Sequence, residues 1–229
     1  MKKILLISLA LSILLLLITS HFRYLKAQNE DFGSWTGIEI RKKLSQRLSA
    51  SFAEEFRWKE NVTQLNNLFS EAGIDYKLSK YLKISANYRF NQKQRRDQSL
   101  GTAHRLSSDF RFQNKIKAII FNYRMRVQSQ VNDYYSSETG KFPDYNLRHK
   151  FSLQWDPDNR ISPFAATELF YPISPIGNNK LSRLRLITGI DYEINKETNM
   201  SINYLMQKET FVKDPLTEHV IQLNYQFSF

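Results

Sequence analysis

The sequence predicts an all-β fold: a closed antiparallel transmembrane β-barrel of roughly 10 to 12 strands with a polar, charged lumen. Three observations favour it, namely segments that alternate between apolar and polar residues, connections that alternate in length, and a last segment that ends on Phe229. Because successive side chains of a strand point to opposite faces, each segment has one apolar and one polar face. Beyond the N-terminal region no stretch suits a membrane-spanning helix, so the chain would cross a membrane as a closed barrel.

The chain begins with the features of an exported protein. Lys2 and Lys3 precede an apolar run over residues 4–18, and the small residue Ala27 follows a more polar stretch. A charged start, an apolar centre and a small residue at the end predict a signal peptide over residues 1–27 that is cleaved.

Two alternatives for this region stay open. Cleavage near Ser20 is one, and an uncleaved anchor is the other, although the apolar run is shorter than the roughly 20 residues of a spanning helix. Residues 28–229 are predicted to form a single outer-membrane β-barrel domain. The chain has no cysteine, which excludes a disulfide framework and a lipid-modified cysteine after the signal.

Composition and charge fit a barrel better than a nucleic-acid-binding protein. Hydrophobic residues make up 41% of the chain, as expected when half of each strand is polar. The formal charge of +11 falls to +7 without the four cations of the predicted signal. The basic residues recur at strand spacing and form no patch or tail, so no nucleic-acid partner is expected.

Eleven alternating segments follow the signal, each close to the roughly 9 to 11 residues that a tilted membrane strand needs. In a typical one, Leu82, Ile84, Ala86, Tyr88 and Phe90 alternate with Lys83, Ser85, Asn87, Arg89 and Asn91. The predicted strands cover 34–44, 48–59, 67–78, 82–92, 104–114, 117–130, 145–156, 162–171, 181–194, 199–209 and 218–229.

The connections alternate in length. Short ones lie near Ser45, Ser79, Lys115, Asp158 and Asn195. Longer ones lie near Val62, Arg96, Ser136, Ile176 and Asp214. Short turns at one end and long loops at the other are typical of outer-membrane barrels, with the long loops outside the cell. A soluble β-sandwich also has many short strands, but it seldom sorts its loops by length.

The number of segments conflicts with the usual rule, because bacterial single-chain barrels have an even number of strands. If the last strand runs inward, the segment that contains Trp35 also runs inward. Either residues 28–33 cross the lumen, or a strand has been missed, or one segment is not a strand. We therefore expect ten or twelve strands.

An internal repeat supports the β architecture. Residues 73–76 (Gly-Ile-Asp-Tyr) recur at 189–192, and four further residues recur at the same offset of 116 positions. These are Lys80, Ser85, Asn87 and Tyr88, which recur as Lys196, Ser201, Asn203 and Tyr204. A three-residue turn would place Gly73 opposite Asn87, where the absence of a side chain leaves room for a polar neighbour.

The polar faces carry a group of charged residues, here named the lumen cluster. Its members are Glu71, Asp75, Arg89, Arg105, Asp109, Arg111, Arg124, Arg126, Arg148, Glu168, Arg185 and Asp191. Lys150, Arg183 and Glu193 share the same faces. One interpretation is that these charges pair and fill the lumen. The other is that the excess of arginine forms an anion-preferring constriction. Glu54 departs from the pattern, because it shares a face with apolar neighbours unless a bulge turns it inward.

Catalytic and metal sites are not predicted. An outer-membrane lipid-modifying enzyme, an acyl hydrolase or transferase, is the main alternative to a non-enzymatic barrel. His104 and His219 lie at strand ends beside long loops, with Ser107 and Glu218 close in sequence. No His-x-Ser motif occurs, and a nucleophile needs its base within hydrogen-bond reach. The histidines have no metal-ligand spacing, and no cofactor is expected.

The last strand predicts a partner. Tyr225, Phe227 and Phe229 share its apolar face, and a terminal aromatic residue resembles the C-terminal insertion signal of outer-membrane barrels. The expected partners are outer-membrane lipid and, through this strand, the barrel-assembly machinery.

Several short motifs together resemble a known family. They are Trp35-x-Gly37, Glu55-x-Arg57, the Gly-x-x-Tyr hairpins, His104-Arg105, Arg124-x-Arg126, an inward Glu168 and the terminal Phe. The chain is similar over roughly residues 32–229 to bacterial (Bacteroidetes-type) outer-membrane barrels grouped as domain of unknown function 2490. The resemblance implies a barrel without an established activity or catalytic residues.

The functional prediction is an integral outer-membrane barrel that is structural or a narrow, anion-preferring pore for an unspecified solute. The lipid-modifying enzyme is the first alternative, and a soluble periplasmic β protein is the second.

Overall fold

Every predicted segment forms a strand. The computed structural model describes residues 29–94, 99–132, 143–157, 159–173 and 180–229. Its strands are β1 (Asn29–Lys43), β2 (Leu48–Lys59), β3 (Gln64–Lys77), β4 (Leu82–Gln94), β5 (Leu100–Ile116), β6 (Ile119–Asn132), β7 (Asp144–Trp155), β8 (Ile161–Ile173), β9 (Arg183–Glu193), β10 (Thr198–Glu209) and β11 (Leu216–Ser228). The all-β prediction is confirmed, and the predicted signal peptide lies outside the described residues.

The eleven described strands close into a barrel in which each strand pairs with its sequence neighbours. All sequential pairs are antiparallel, but β1 and β11 pair in parallel, from Asn29 opposite Leu216 to Arg41 opposite Ser228. The closed barrel is confirmed, and the expectation of an even number of strands is wrong. Both strands of the closing pair run in the same direction, so parallel hydrogen bonds close the wall without a further strand.

The start of β1 corrects a second expectation. Residues 28–33 were one candidate for a segment that crosses the lumen, and the structure describes 29–33 of them. Instead they extend the strand and pair with the first residues of β11, beginning at Leu216 and Thr217. They are therefore part of the barrel wall.

The two ends of the barrel differ in their connections. The longest, 133–143 and 174–182, join strands at what we name the loop end. At the opposite turn end, the connections 44–47, 78–81 and 194–197 share one design. The side-chain oxygens of Ser45, Ser79 and Asn195 accept hydrogen bonds from the backbone N–H groups two and three residues later.

One connection at the loop end is shorter than predicted. Residues 60–63 link β2 to β3 directly, although the sequence suggested a long loop near Val62. Glu60, Asn61 and Val62 all have positive φ angles, between 53° and 66°. The tight reversal is built from left-handed backbone conformations that a β-branched residue such as Val62 rarely adopts.

The two faces of the wall differ in polarity. Large apolar side chains point outward: Ile74 and Ile38 are each 54% exposed. Charged and polar side chains point inward, where Asp109 and Glu168 are each only 1% exposed. The part of the chain that the structure describes contains no helix long and apolar enough to cross a membrane.

The repeated hairpins place glycine opposite asparagine as predicted. Gly73 pairs with Asn87, and Gly189 pairs with Asn203. A Cβ atom on Gly73 would lie 2.5 Å from the Asn87 Oδ1 atom, so the amide occupies the space that a side chain would need. A third pair that the repeat did not reveal, Gly37 with Asn224, lies across the closing strands.

Candidate functional site

All twelve residues of the lumen cluster lie on the inward face of the wall, where they line cavities or join ion pairs. Side chains alternate between the two faces of each strand. The register of the strand pairs sets inward positions of neighbouring strands opposite one another, so these residues all face the lumen. Their contacts divide the cluster into three groups.

The first group centres on Glu168 of β8. Its carboxylate accepts from Arg124 Nη2 at 2.6 Å, from Arg148 Nη2 at 2.8 Å and from Arg185 Nη1 at 3.2 Å. Arg185 also donates from Nε to the Gln207 side chain at 3.0 Å. One buried carboxylate therefore serves three guanidinium groups, which leaves a local excess of positive charge.

The second group lies nearer the turn end. Arg126 Nη2 donates to Asp109 Oδ2 at 2.8 Å, and Arg111 Nη2 donates to the same oxygen at 2.6 Å. Arg111 Nη1 also lies 3.4 Å from Asp75 Oδ1. Asp75 is further paired with Arg41, so a continuous chain of ion pairs follows the wall from β6 to β1.

The third group combines ion pairs with aromatic rings. Arg89 Nε donates to Glu71 at 2.7 Å, and the guanidinium carbon lies 3.6 Å from the Phe69 ring centroid. Arg57 has the same environment: its guanidinium carbon lies 3.8 Å from the Trp35 ring centroid. Stacking on rings holds these guanidinium groups in fixed positions in the lumen.

Two members of the cluster have weaker partners. Arg105 lies directly opposite Arg89 on the neighbouring strand, and its Nε donates to the amide oxygen of Gln130 at 2.8 Å. Among the described residues no carboxylate lies within ion-pair distance of Arg105. Asp191 accepts a hydrogen bond from Gln154 Nε2 at 3.1 Å. Like charges on facing strand positions are unfavourable, so the Arg89–Arg105 pair is a position of concentrated positive charge.

The charges surround two cavities. The loop-end cavity has a volume of about 1080 Å³ and is lined by ten Arg or Lys residues against five Asp or Glu residues. The turn-end cavity has a volume of about 690 Å³ and is lined by more acidic than basic residues and by many amides. Seven residues border both cavities and form the layer between them: Glu39, Glu55, Glu71, Arg89, Arg124, Lys150 and Gln222.

Sequence analysis missed the aromatic residues of the lumen. Trp35, Phe69 and Phe170 are buried on the inward face, although the aromatic residues of a barrel were expected on the outer face. The sequence did contain a signal for their inward orientation. Trp35 lies two residues from Gly37, and Phe170 lies two residues from Glu168, so each shares the inward face of its strand with that neighbour. They act as platforms for guanidinium groups, a role that polarity alone does not suggest.

The histidines do not assemble a catalytic site in the described part of the chain. His104 faces outward and bonds the Tyr88 hydroxyl at 2.7 Å, whereas Ser107 is buried on the inward face. His219 also faces outward, whereas its sequence neighbour Glu218 faces inward and accepts from Gln207. The described residues contain no cluster of three potential metal ligands.

Glu54 stays on the outward face. It lies opposite Ile38 on β1 and opposite Ser70 on β3. The only register shift between β2 and β3 among the described residues falls between Arg57 and Trp58, beyond Glu54. The expected inward rotation by a bulge is therefore wrong.

The terminal residue continues the closing pair. Phe229 N–H donates to the Arg41 carbonyl at 2.9 Å, and its own carbonyl accepts from Lys43 N–H at 2.9 Å. Its ring is 64% exposed on the outside of the turn end. The last residue of the chain therefore takes part in closing the barrel.

Fold and lumen define a closed β-barrel with an apolar exterior and a charged interior, the architecture of barrels that span membranes. The chain belongs to the family described as protein of unknown function (DUF2490), whose model matches residues 32–215. No curated protein sequence matches the chain.

Two solved structures share features of this fold. The β-domain of the Bordetella autotransporter BrkA has 10% sequence identity and a TM-score of 0.47, with 80% of this chain and 82% of that chain covered. The translocator domain of the autotransporter NalP from Neisseria meningitidis has 14% identity and a TM-score of 0.41, with 78% and 73% covered.

Proposed function

We propose that the protein is an outer-membrane barrel whose lumen is a narrow, anion-preferring pore. The observation that carries this proposal is the charge of the loop-end cavity, where ten basic residues face five acidic ones. Rings of basic side chains favour anions in pores by the same electrostatic argument. The soluble alternative is disfavoured, because large apolar side chains cover the outside of the barrel.

The location follows from the two ends of the chain and the outer surface. The signal peptide predicted over residues 1–27 would direct export, and the aromatic residues Tyr225, Phe227 and Phe229 of the closing strand suit recognition by the barrel-assembly machinery. In this orientation the turn end faces the periplasm and the loop end faces the exterior. Recovery of the protein in washed outer membranes, with migration on a gel that changes on heating, tests this part.

The layer between the cavities sets the width of the pore. Glu71 and Arg89 form an ion pair at 2.7 Å there, and Arg124 reaches across to Glu168. An anion that enters from the loop end exchanges one guanidinium partner for another, since Arg89 and Arg105 lie side by side. The narrow layer admits small anions and excludes large solutes.

The test is the conductance of the refolded protein in a planar bilayer. Discrete anion-carrying channels are expected, and Arg105→Gln should lower the conductance because it removes a lumen cation whose described partner is the neutral Gln130 amide. Lys42→Gln is the matched control, since Lys42 is an exposed cation at the turn end on the same outward face of β1 as Ile38 and Ile40, and its loss should leave the current unchanged. If the barrel folds but carries no current, the pore proposal is rejected and the structural role remains.

We infer no catalytic step. A nucleophile and its base must lie within hydrogen-bond reach, and His104 and Ser107 point to opposite sides of the wall. Release of acyl chains from phospholipid or lipid A, lost in His104→Ala or His219→Ala, would instead support the lipid-modifying alternative.

A further inference from the structure

Glu54 is an acidic residue in the middle of the apolar outer surface. It is the seventh of the twelve residues of β2, between Phe52 and Phe56, which are 49% and 42% exposed on the same face. In the described part of the chain its carboxylate has no ion pair or hydrogen bond. A carboxylate at this depth is costly in a bilayer unless a partner approaches from outside the barrel.

His149 occupies the corresponding depth on another strand. It is the sixth of the twelve residues of β7, and Phe151 on the same face is 39% exposed. Its Nδ1 atom lies 2.8 Å from the Tyr123 hydroxyl, and its ring stacks on the Tyr123 ring with centroids 6.1 Å apart. These contacts fix the ring against the wall.

The tyrosine contact uses Nδ1 and leaves Nε2 as the nitrogen without a described partner. When the Tyr123 hydroxyl donates to Nδ1, the neutral ring carries its proton on Nε2, and a protonated ring carries one there as well. No described residue accepts a hydrogen bond from Nε2. In that tautomer His149 presents a free N–H donor to the surroundings of the barrel.

The two residues cannot meet within one molecule. In the closed order of strands, β2 and β7 are separated by five strand positions in one direction and six in the other. They lie on opposite sides of the barrel with the lumen between them. Any contact between Glu54 and His149 must join two molecules.

We propose that the barrel associates with further copies of itself in the plane of the membrane, through a contact between Glu54 of one copy and His149 of the next. The equal depth of the two residues and their complementary chemistry carry this inference. Different surfaces of the two copies meet, so the contact is heterologous. Because the two surfaces lie on opposite sides of each barrel, repeated contacts generate a row of molecules. The inference rests on the proposed membrane location but not on conduction.

Cross-linking between engineered cysteines tests the contact, and the absence of native cysteine makes the result unambiguous. Ser70 lies beside Glu54, and Met125 lies beside His149, both on the outward face. In vesicles, a Ser70→Cys copy mixed with a Met125→Cys copy should form a dimer with a short membrane-permeable bismaleimide. Neither variant alone should cross-link to itself.

Removal of either partner should abolish the product. Glu54→Leu in the Ser70→Cys copy, or His149→Phe in the Met125→Cys copy, should lower the yield about tenfold. Both substitutions introduce apolar side chains on the outward face, so the barrel should still fold, as heat-modifiable migration would verify. The same changes placed in the opposite copy, which leave this one contact intact, serve as matched controls.

Four results would overturn the inference. Equal yields with and without Glu54 would show random collision, and cross-linking of Ser70→Cys copies to each other would show a Glu54 to Glu54 contact instead. A protein that does not insert into the vesicles would overturn this inference together with the membrane location. Currents in the bilayer that persist without cross-linking would reject the row alone and leave the pore proposal standing.

Discussion

At the scale of single residues, Glu168 is a buried negative charge that three arginines share. Three arginines approach its carboxylate within 3.2 Å, and the residue is 1% exposed. Removing one member of a buried ion network leaves the remaining charges without partners. The free-energy cost of that loss exceeds the net stabilisation that the intact network provides.

We therefore predict that Glu168→Gln lowers the free energy of unfolding by about 3 kcal/mol. Urea-induced unfolding of the protein in lipid vesicles measures this change. Asp191→Asn is the control, because Asp191 has a Gln154 amide as its partner and should change stability by less than about 1 kcal/mol. Equal effects of the two substitutions would contradict the central place of Glu168.

The two repeated glycines allow a sharper comparison. A Cβ atom on Gly73 would meet the ends of two side chains, Asn87 and Ser51, at 2.5 and 2.9 Å. A Cβ atom on Gly189 would also meet the backbone carbonyl oxygen of Ile202 at 2.6 Å. Side-chain ends can rotate away, whereas a backbone atom in the sheet cannot move without disturbing the ladder.

Gly189→Ala is accordingly expected to destabilise the barrel by about 2 kcal/mol, and Gly73→Ala by less than about 1 kcal/mol. Thermal or urea unfolding of the two variants measures the difference. The order of the two effects is the informative result, because the residues occupy equivalent positions of the repeat. The reverse order would show that the asparagine contacts, and not the backbone contact, limit the space.

At the scale of elements, local patterns predicted the strands well. The bounds of β2 agree at both ends, because the apolar face from Leu48 to Trp58 is interrupted only at Glu54 and turn residues flank the strand. The inward set of charged residues also followed from parity. The closing pair could not be predicted in the same way, since the alternation of a strand is the same whether its neighbour runs parallel or antiparallel.

The parallel closure is testable with one disulfide. Thr36 and Leu223 are Cα partners across β1 and β11 and both point outward. The double variant Thr36→Cys and Leu223→Cys should form a disulfide on oxidation, which joins the first and last strands and raises the unfolding temperature. Migration of the oxidised and reduced forms on a gel shows whether the bond has formed.

A shifted pair provides the control. Thr36→Cys with Ile221→Cys places the two cysteines two residues out of register, beyond the usual Cα separation for a disulfide. Efficient oxidation of the shifted pair, with none of the aligned pair, would contradict the register of the closing strands.

At the scale of the whole molecule, the barrel separates a basic cavity at the loop end from an acidic, amide-rich cavity at the turn end. The sequence indicated an excess of arginine on the inward faces. It did not indicate how the charges are shared, because Glu168 receives arginines from three different strands, whereas Arg105 has no carboxylate partner among the described residues. Which charges pair depends on which strands are neighbours and on how far each side chain reaches. The alternation of residues along a strand describes neither of these.

The reversal potential of the pore tests the central claim most directly. In a roughly tenfold gradient of KCl across a planar bilayer, the loop-end excess of positive charge predicts a reversal potential displaced toward the equilibrium potential of chloride. Arg105→Glu should move it toward that of potassium. A wild-type reversal potential at zero or on the potassium side would contradict an anion-preferring lumen.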